Sequence, residues 1–469
     1  MTDREAASSI GDAAGGEAGG KAGDIGPVAQ GDAKGAAQRA ANVDESVGDG
    51  ADAGRNASAI STPAARTSPD CVLCGCCLEG CPLFAVTKRE ELSPRAKALL
   101  AGPSKFAAAN LPEGGLPQAD VAALTGLCLA CGRCEKLCPQ GVKVPALMTA
   151  MRAAHPDFRQ WLWKQWITRL GPFWSLAARG AAALPEAFAP ASLGLALKGL
   201  KGLRPGAGLA PWLTFTEFPV ENFRQTHGDR PVAVFDGCVG SGPRKVWADT
   251  ARQLLAGLGA RLTDVRFSCC GSTLGTAGLP AEQHDARRSN VAAWREAGRP
   301  LLVTYCATCR KGLAEYLGAG GGLFADQAEQ EQWRAAVVPL SALLLGAQAK
   351  ADSTESGAPA VVGYHRPCHA DLGDGLGDPD HTLLAALLGP RLRVAAKGGC
   401  CGFGGILQLS APQLSEAVGR ACWAGLEAVG GQVAPGYVLS GCSGCVMQLS
   451  ATAPAGASTG HWLEIVRRV

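Results

Sequence analysis

No run of about 18 uncharged apolar residues occurs anywhere in the 469-residue chain, so a membrane-crossing helix is not expected. Charge of one sign is also missing. Lys and Arg number 44 and Asp and Glu 41, for a net charge of +3, and no long basic stripe appears, which argues against a nucleic-acid partner. No glycine-rich dinucleotide fingerprint follows a strand-like run, so flavin binding is not expected of this chain. Residues 1–66 contain no aromatic residue and are dominated by Ala, Gly and Asp. Such a segment cannot bury enough apolar surface to offset its chain entropy, which predicts a disordered tail. The same acidic, glycine-rich start lacks the apolar segment of a secretory signal, pointing to a reducing, cytoplasmic compartment.

What is plentiful is cysteine, at 20 residues. Eighteen of them fall into repeated, ligand-like spacings, a poor match to a disulfide framework. The stretch CVLCGCCLEGCP contributes Cys71, Cys74, Cys77 and Cys81 with Pro82 behind them; CLACGRCEKLCP contributes Cys128, Cys131, Cys134 and Cys138 with Pro139. Spacings this short wrap the chain around a compact body, as a cubane iron–sulfur cluster requires. In the bacterial ferredoxin pattern the fourth cysteine of each run serves the other cluster. One expected cluster therefore takes Cys71, Cys74, Cys77 and Cys138, and the other Cys128, Cys131, Cys134 and Cys81. Structural zinc also takes thiolates, but its motifs usually split the ligands into two well-separated pairs. Cys76 is surplus and reads as a small packing residue. Ser93-Pro94 has the form of a helix N-cap followed by an N1 proline, opening RAKALLAG, and a second short helix fits Gln118 to Gly126.

Residues 151–225 read as a helical linker. FRQWLWKQWITRLGPFW, at 158–174, is rich in tryptophan and basic residues; it suits a membrane interface, a partner, or packing on its own domain. Gly171-Pro172 would end this helix, and the later GLALKGLKGLRPGAGLAPW reads as a loose connection.

From about residue 226 the pattern is α/β and occurs twice. Cys238 is followed after 31 positions by Cys269-Cys270-Gly271, and Cys368 after 32 by Cys400-Cys401-Gly402. Each doublet precedes a C-x-x-C pair, Cys306/Cys309 or Cys442/Cys445. Strand-like runs (231–238, 300–306, 359–368 and 437–442) deliver several of these cysteines, and TDVRF is a further run leading to Cys269. Helices fit Lys245 to Leu262, Ala281 to Ala297, 381–392 and Pro412 to Val429. The loop 348–359 separates the halves. Cys422 lies on an apolar stripe and reads as core. Five sulfurs per set exceed the four of a zinc site, and the glycine after each doublet would let the backbone approach a bulky cluster. A strained vicinal disulfide switch is the competing chemistry. His365 and His369 flank Cys368 as tuning groups or loop caps; Lys245 and Arg310 are cations near the sets.

The repeat resembles the CCG (cysteine-rich) domain of heterodisulfide reductase catalytic subunits. That resemblance implies that Cys238, Cys269, Cys270, Cys306 and Cys309 hold one non-cubane [4Fe-4S] cluster, and Cys368, Cys400, Cys401, Cys442 and Cys445 another. The whole order, with SPRAK at 93–97 and CLACGRCEKLCPQGV, is similar to the iron–sulfur subunits of glycolate oxidase and D-lactate dehydrogenase. It implies an α+β multidomain chain: a helical two-[4Fe-4S] ferredoxin-like domain at 67–150, then tandem α/β CCG domains at 226–347 and 359–469. It implies two cubane clusters with one or two further non-cubane ones, and a subunit of an oxidoreductase complex. The partners implied are an FAD-containing 2-hydroxy-acid dehydrogenase subunit and a quinone or other acceptor, with peripheral contact on the cytoplasmic face of the membrane. Glycolate oxidase subunits often lack part of the first C-x-x-C pair. This chain keeps both cysteines, which leaves disulfide reduction as an alternative.

Overall fold

Val232, Ala233, Val234 and Phe235 are all buried, as are Leu301 to Thr304. Strands buried on both faces belong inside a parallel sheet, and these two, β2 (Val232–Phe235) and β3 (Leu301–Thr304), pair in parallel in the computed structural model. The structure describes residues 71–101, 117–169, 173–183, 193–204, 208–319, 322–353, 357–395, 399–429 and 436–468. The expected disordered tail and the helix stop at Gly171-Pro172 lie outside them. All described residues belong to one compact unit.

β4 (Val337–Pro339) completes a sheet of order β2-β3-β4. The second half has the order β7-β6-β8-β9, from β6 (Val362–Tyr364), β7 (Leu392–Val394), β8 (Tyr437–Ser440) and β9 (Ser458–His461), all parallel. β2 and β6, β3 and β8, and β4 and β9 are equivalent positions of the repeat. The place of β7 is taken in the first half by a single bridge, Val232 to Leu262, after which TDVRF runs on without forming a strand. Parallel strands leave their sheet at one edge, where open α/β sheets gather ligands. Cys306 and Cys442 each lie two residues beyond such an end.

Long helices cover the sheets at Lys245–Gly257, Pro280–Glu296 and Pro412–Val429. In the ferredoxin-like part, Ser93 caps the helix Pro94–Ala101, its Oγ accepting from Ala96 N at 3.1 Å. Gln118–Gly126 and Val144–Ala154 are the other main helices there.

Two expectations are corrected. The glycine-rich 194–212 stretch is not loose: Gly194–Gly202 is a helix laid against Ser443–Ala451. A Cβ at Gly199 would lie 3.4 Å from Met447 O, and one at Gly202 2.7 Å from Ser450 Cβ. The glycines bring two helices close rather than loosening the chain. The separating loop also begins with a strand, β5 (Gln348–Ala351), antiparallel to β1 (Leu213–Glu217). Thr214, Phe215 and Thr216 favour a strand, and β5 supplies backbone partners that the linker would otherwise lack.

Candidate metal centres

The two ferredoxin-type motifs wind alike. Leu73 and Ala130 have φ of 57° and 50°, followed in the same register by Gly75 and Gly132 at 82° and 75°. Two non-glycine residues in the left-handed region are strained, and the turn they make is what brings consecutive thiols to one side. Burial pushes the Cys77 thiol up to about 11, aided by Cys71, Cys138 and Cys74. Burial likewise pushes Cys131 up to about 11, with Cys128 and Cys81 adding to it, and raises Cys134, whose sulfur neighbours are Cys128, Cys131 and Cys81. The eight thiols thus sort into 71/74/77/138 and 81/128/131/134. Cys76 is exposed, in hydrogen-bonding reach of Cys74.

Lys97, only 2% exposed, sits against the second group. Its Nζ donates to Leu92 O at 2.6 Å, and its charge draws the Cys81 thiol down against the larger effect of burial. A buried cation beside thiolates offsets their negative charge. Lys97→Met is expected to keep the iron content while lowering the midpoint potential of one cubane, measured by redox titration under EPR.

In the repeats the thiols follow one another in an unbroken order, Cys238, Cys269, Cys270, Cys309, Cys306, Cys442, Cys445, Cys401 and Cys400, each near enough to perturb the ionisation of the next. The two sets meet at Cys306 and Cys442. Ser443 Oγ is 3.4 Å from Cys306 Sγ and Thr308 Oγ1 is 3.2 Å from Cys442 Sγ, so each C-x-x-C loop supplies a hydroxyl to the other set. Ala307 N donates to Gly441 O at 2.8 Å and ties the strand ends together. Gly271 N and Gly402 N reach back to Cys269 Sγ and Cys400 Sγ at 3.5 and 3.4 Å. Cys368 stands apart from the chain of contacts, its thiol raised by burial and by Cys131, Cys401 and Cys442.

The glycine after each doublet has a different cause from the one expected. Both are left-handed, with φ of 80° and 87°. A Cβ on Gly402 would lie 2.4 Å from Ser415 O, and one on Gly271 3.2 Å from Gln283 Cγ and O. The close approach is to the next long helix. Gly237 and Gly312 are pressed against sulfurs of the first set, their Cβ sites 3.0 Å from Cys309 Sγ and Cys270 Sγ, and Gly399 lies as close to the core thiol of Cys422.

A cavity with about 100 Å³ open to the centre of a water-sized sphere runs between the sets. Cys131 opens into it beside Cys238, Cys270, Cys368 and Cys401, and Trp163, Ile167 and Phe403 form an apolar wall. Trp163 and Phe403 rings are 6.3 Å apart. His365 Nδ1 lies 3.3 Å from Ser440 Oγ, while its buried Nε2 has no hydrogen-bond partner among the described residues; a ring nitrogen of His365 lies within 4.8 Å of Cys401 and Cys445 Sγ. His369 Nδ1 is 3.3 Å from Thr308 Oγ1, and burial holds this imidazole down to about 3, hence neutral. Of the two cations considered, Lys245 is exposed, paired with Asp249, and Arg310 is buried but paired with Asp374. Cys422 is buried core.

The spacing of residues gave no sign of two other arginines. Arg133 donates to Gly399 O at 2.9 Å. Arg152, 6% exposed, donates to Gly126 O, Cys128 O and Thr276 O at 2.8, 2.5 and 2.5 Å, joining the second cysteine run to the first repeat. Arg152→Met is expected to cost on the order of 3 kcal/mol in anaerobic denaturant unfolding, because three carbonyls lose a charged donor.

The donor set suits iron and sulfide: clustered thiols repel as anions once ionised, and a bound cationic core relieves that repulsion. Comparison with known proteins bears on the same residues. A 4Fe-4S dicluster domain matches residues 68–142, and a cysteine-rich CCG domain matches 232–314 and again 362–450. The chain is 25% identical over 376 residues to the probable glycolate oxidase iron–sulfur subunit of Bacillus subtilis strain 168, covering 74% of this chain and 81% of that protein. The chain thus carries a 4Fe-4S dicluster domain and two cysteine-rich CCG domains, and it is similar to that iron–sulfur subunit over most of its length. Thr308 and Ser443 stand between the cysteines of the two C-x-x-C loops, which is the one sequence signal that marked them.

Proposed function

We propose that the chain is the electron-transfer subunit of a 2-hydroxy-acid dehydrogenase complex, of the glycolate or D-lactate type, with the chemistry on the acid done by a separate flavoprotein. The observation that carries this reading is the placement of Cys131. It lines the cavity of the second ferredoxin-type group and the cavity between the repeats. The sulfur groups therefore form a sequence: 71/74/77/138, then 81/128/131/134, then the second five-cysteine set, then the first. In this reading the first two groups each hold a cubane [4Fe-4S] cluster and the five-cysteine sets hold non-cubane ones. When bound, such clusters take and release electrons singly, which suits passage from a two-electron flavin to a quinone or other acceptor.

The residues around the sulfurs bind and insulate. Most of the repeat cysteines are buried away from water, backbone N–H groups point at sulfur in the ferredoxin-type runs, and Lys97 offsets charge. No described helix is long and apolar enough to cross a membrane, so a lipid-soluble acceptor would be met at a surface.

Three observations together favour a second reading. The complete pair Cys306/Cys309, the neutral His369 and the apolar-walled cavity suit reduction of a disulfide, with two electrons and two protons giving two thiols. Anaerobic co-purification separates the two. A flavoprotein partner and acceptor reduction driven by glycolate or D-lactate support the first; disulfide reduction without a flavoprotein would overturn it.

A further inference from the structure

The two repeats differ at one matched position beside their sulfurs. Tyr364 pairs with Leu439, three residues before Cys442, and Val234 pairs with Val303, three before Cys306. The next residue along is therefore His365 in the second repeat and Phe235 in the first. Each also stands three places before the first cysteine of its set, Cys368 or Cys238. Phe235 is 1% exposed and shares one buried cluster with Cys270 and Cys309. His365 is 2% exposed, with a ring nitrogen within 4.8 Å of the matching sulfurs, Cys401 and Cys445 Sγ. The same place holds an apolar ring in one set and a polar ring in the other.

A buried imidazole nitrogen without a partner is costly, and its neighbours say what would satisfy it. Nδ1 faces Ser440 Oγ at 3.3 Å, which leaves Nε2 as the orphan among the described residues. The Gly399 carbonyl, close enough to bear on the ring, already accepts from Arg133 at 2.9 Å. Of the groups set beside the ring, the sulfurs of Cys401 and Cys445 remain. Ser440 Oγ is also 3.3 Å from the His365 carbonyl, so its one proton can go to either acceptor. Thiolate sulfur decides between them. It repels a nitrogen lone pair and attracts an N–H, which puts the ring proton on Nε2 and directs the Ser440 proton to Nδ1. We propose that His365 Nε2–H donates to a sulfur of the second five-cysteine set, and that Phe235 denies the first set any such donor.

His365 is thus a positioning residue, acting through the sulfurs. A hydrogen bond to a thiolate ligand stabilises the more negative, reduced state of a cluster. The second set, which shares its cavity with Cys131, then holds an electron in preference to the first. This consequence rests on the cluster reading proposed above.

The test is redox titration under EPR of the full, anaerobically purified chain. His365→Phe, which copies the first set, should make reduction of one non-cubane centre about tenfold less favourable, a fall of about 59 mV for a one-electron step, at wild-type iron content. His365→Gln keeps an N–H and should recover most of that shift. An unmoved potential in His365→Phe, or a Gln variant that matches Phe, would overturn the proposal. If His365→Phe loses iron, the wild-type chain labelled with heavy-nitrogen histidine decides. Electron–nuclear double resonance in deuterated water is expected to show an exchangeable deuteron and a weakly coupled nitrogen at that centre. A strongly coupled nitrogen would make His365 an iron ligand, and no coupling would make it a packing residue; either result would overturn the donor. A wild-type iron count short by one cluster would defeat the cluster reading and this proposal with it, so iron content tells the two failures apart.

Discussion

Cys131→Ala is expected to lose about four of some sixteen irons and to stop acceptor reduction in the assembled complex, while flavin reduction by the hydroxy acid continues. Two features make this the severest single change. Cys131 belongs to the group 81/128/131/134, and its thiol also opens toward Cys368, Cys400 and Cys401. Its loss removes one cluster and the junction between the ferredoxin-like part and the repeats. Cys76→Ala is the control. Its thiol is exposed and lies outside both groups, so iron content and turnover should stay at wild-type levels. Iron analysis and rapid-mixing absorbance of flavin and acceptor check both variants.

Gly402→Ala should be the most damaging change that touches no sulfur. The backbone there is left-handed at φ 87°, and a methyl group would meet Ser415 O at 2.4 Å and Gly419 N at 3.0 Å. These are backbone atoms of the helix Pro412–Val429, and Ser415 Oγ donates to Gly402 O at 2.7 Å, so neither side can move alone. Left-handed strain and overpacking together suggest a cost of roughly 3 kcal/mol or more. The Cys400-Cys401 doublet would shift with it, and the second set should load little iron. Gly271→Ala is the milder twin. Its nearest atoms, Gln283 Cγ and O, are at 3.2 Å, and Cγ belongs to a movable side chain. Iron content after anaerobic purification, paired with denaturant unfolding, should rank the two substitutions in that order; the reverse order would mean that helix packing does not set the need for glycine.

The contrast between these glycines shows where sequence reading reached and where it stopped. The cysteine spacings carried the sulfur groups, and the periodic apolar residues carried Pro412–Val429 and Gln118–Gly126, because both signals are local. The role of Gly402 depends on Ser415, and that of Gly199 on Met447, nearly 250 positions on. A glycine in a helix crossing reads the same as one in a loose loop, so 194–202 was misread. Short strands such as β5 and β9 take their identity from partners, β1 and β8, rather than from their own residues. Arg152 is silent for a related reason: one of its acceptors lies 124 residues away. Trp163 was legible only as one tryptophan of a basic, Trp-rich helix, and the fold is what puts it over the sulfurs.

We propose that eighteen of the twenty cysteines form four iron–sulfur sites in one chain. Iron and acid-labile sulfide, measured on the anaerobically purified full chain, test it most directly. Four four-iron sites predict about sixteen irons per chain, with sulfide to match. Near-stoichiometric zinc in place of iron would contradict it.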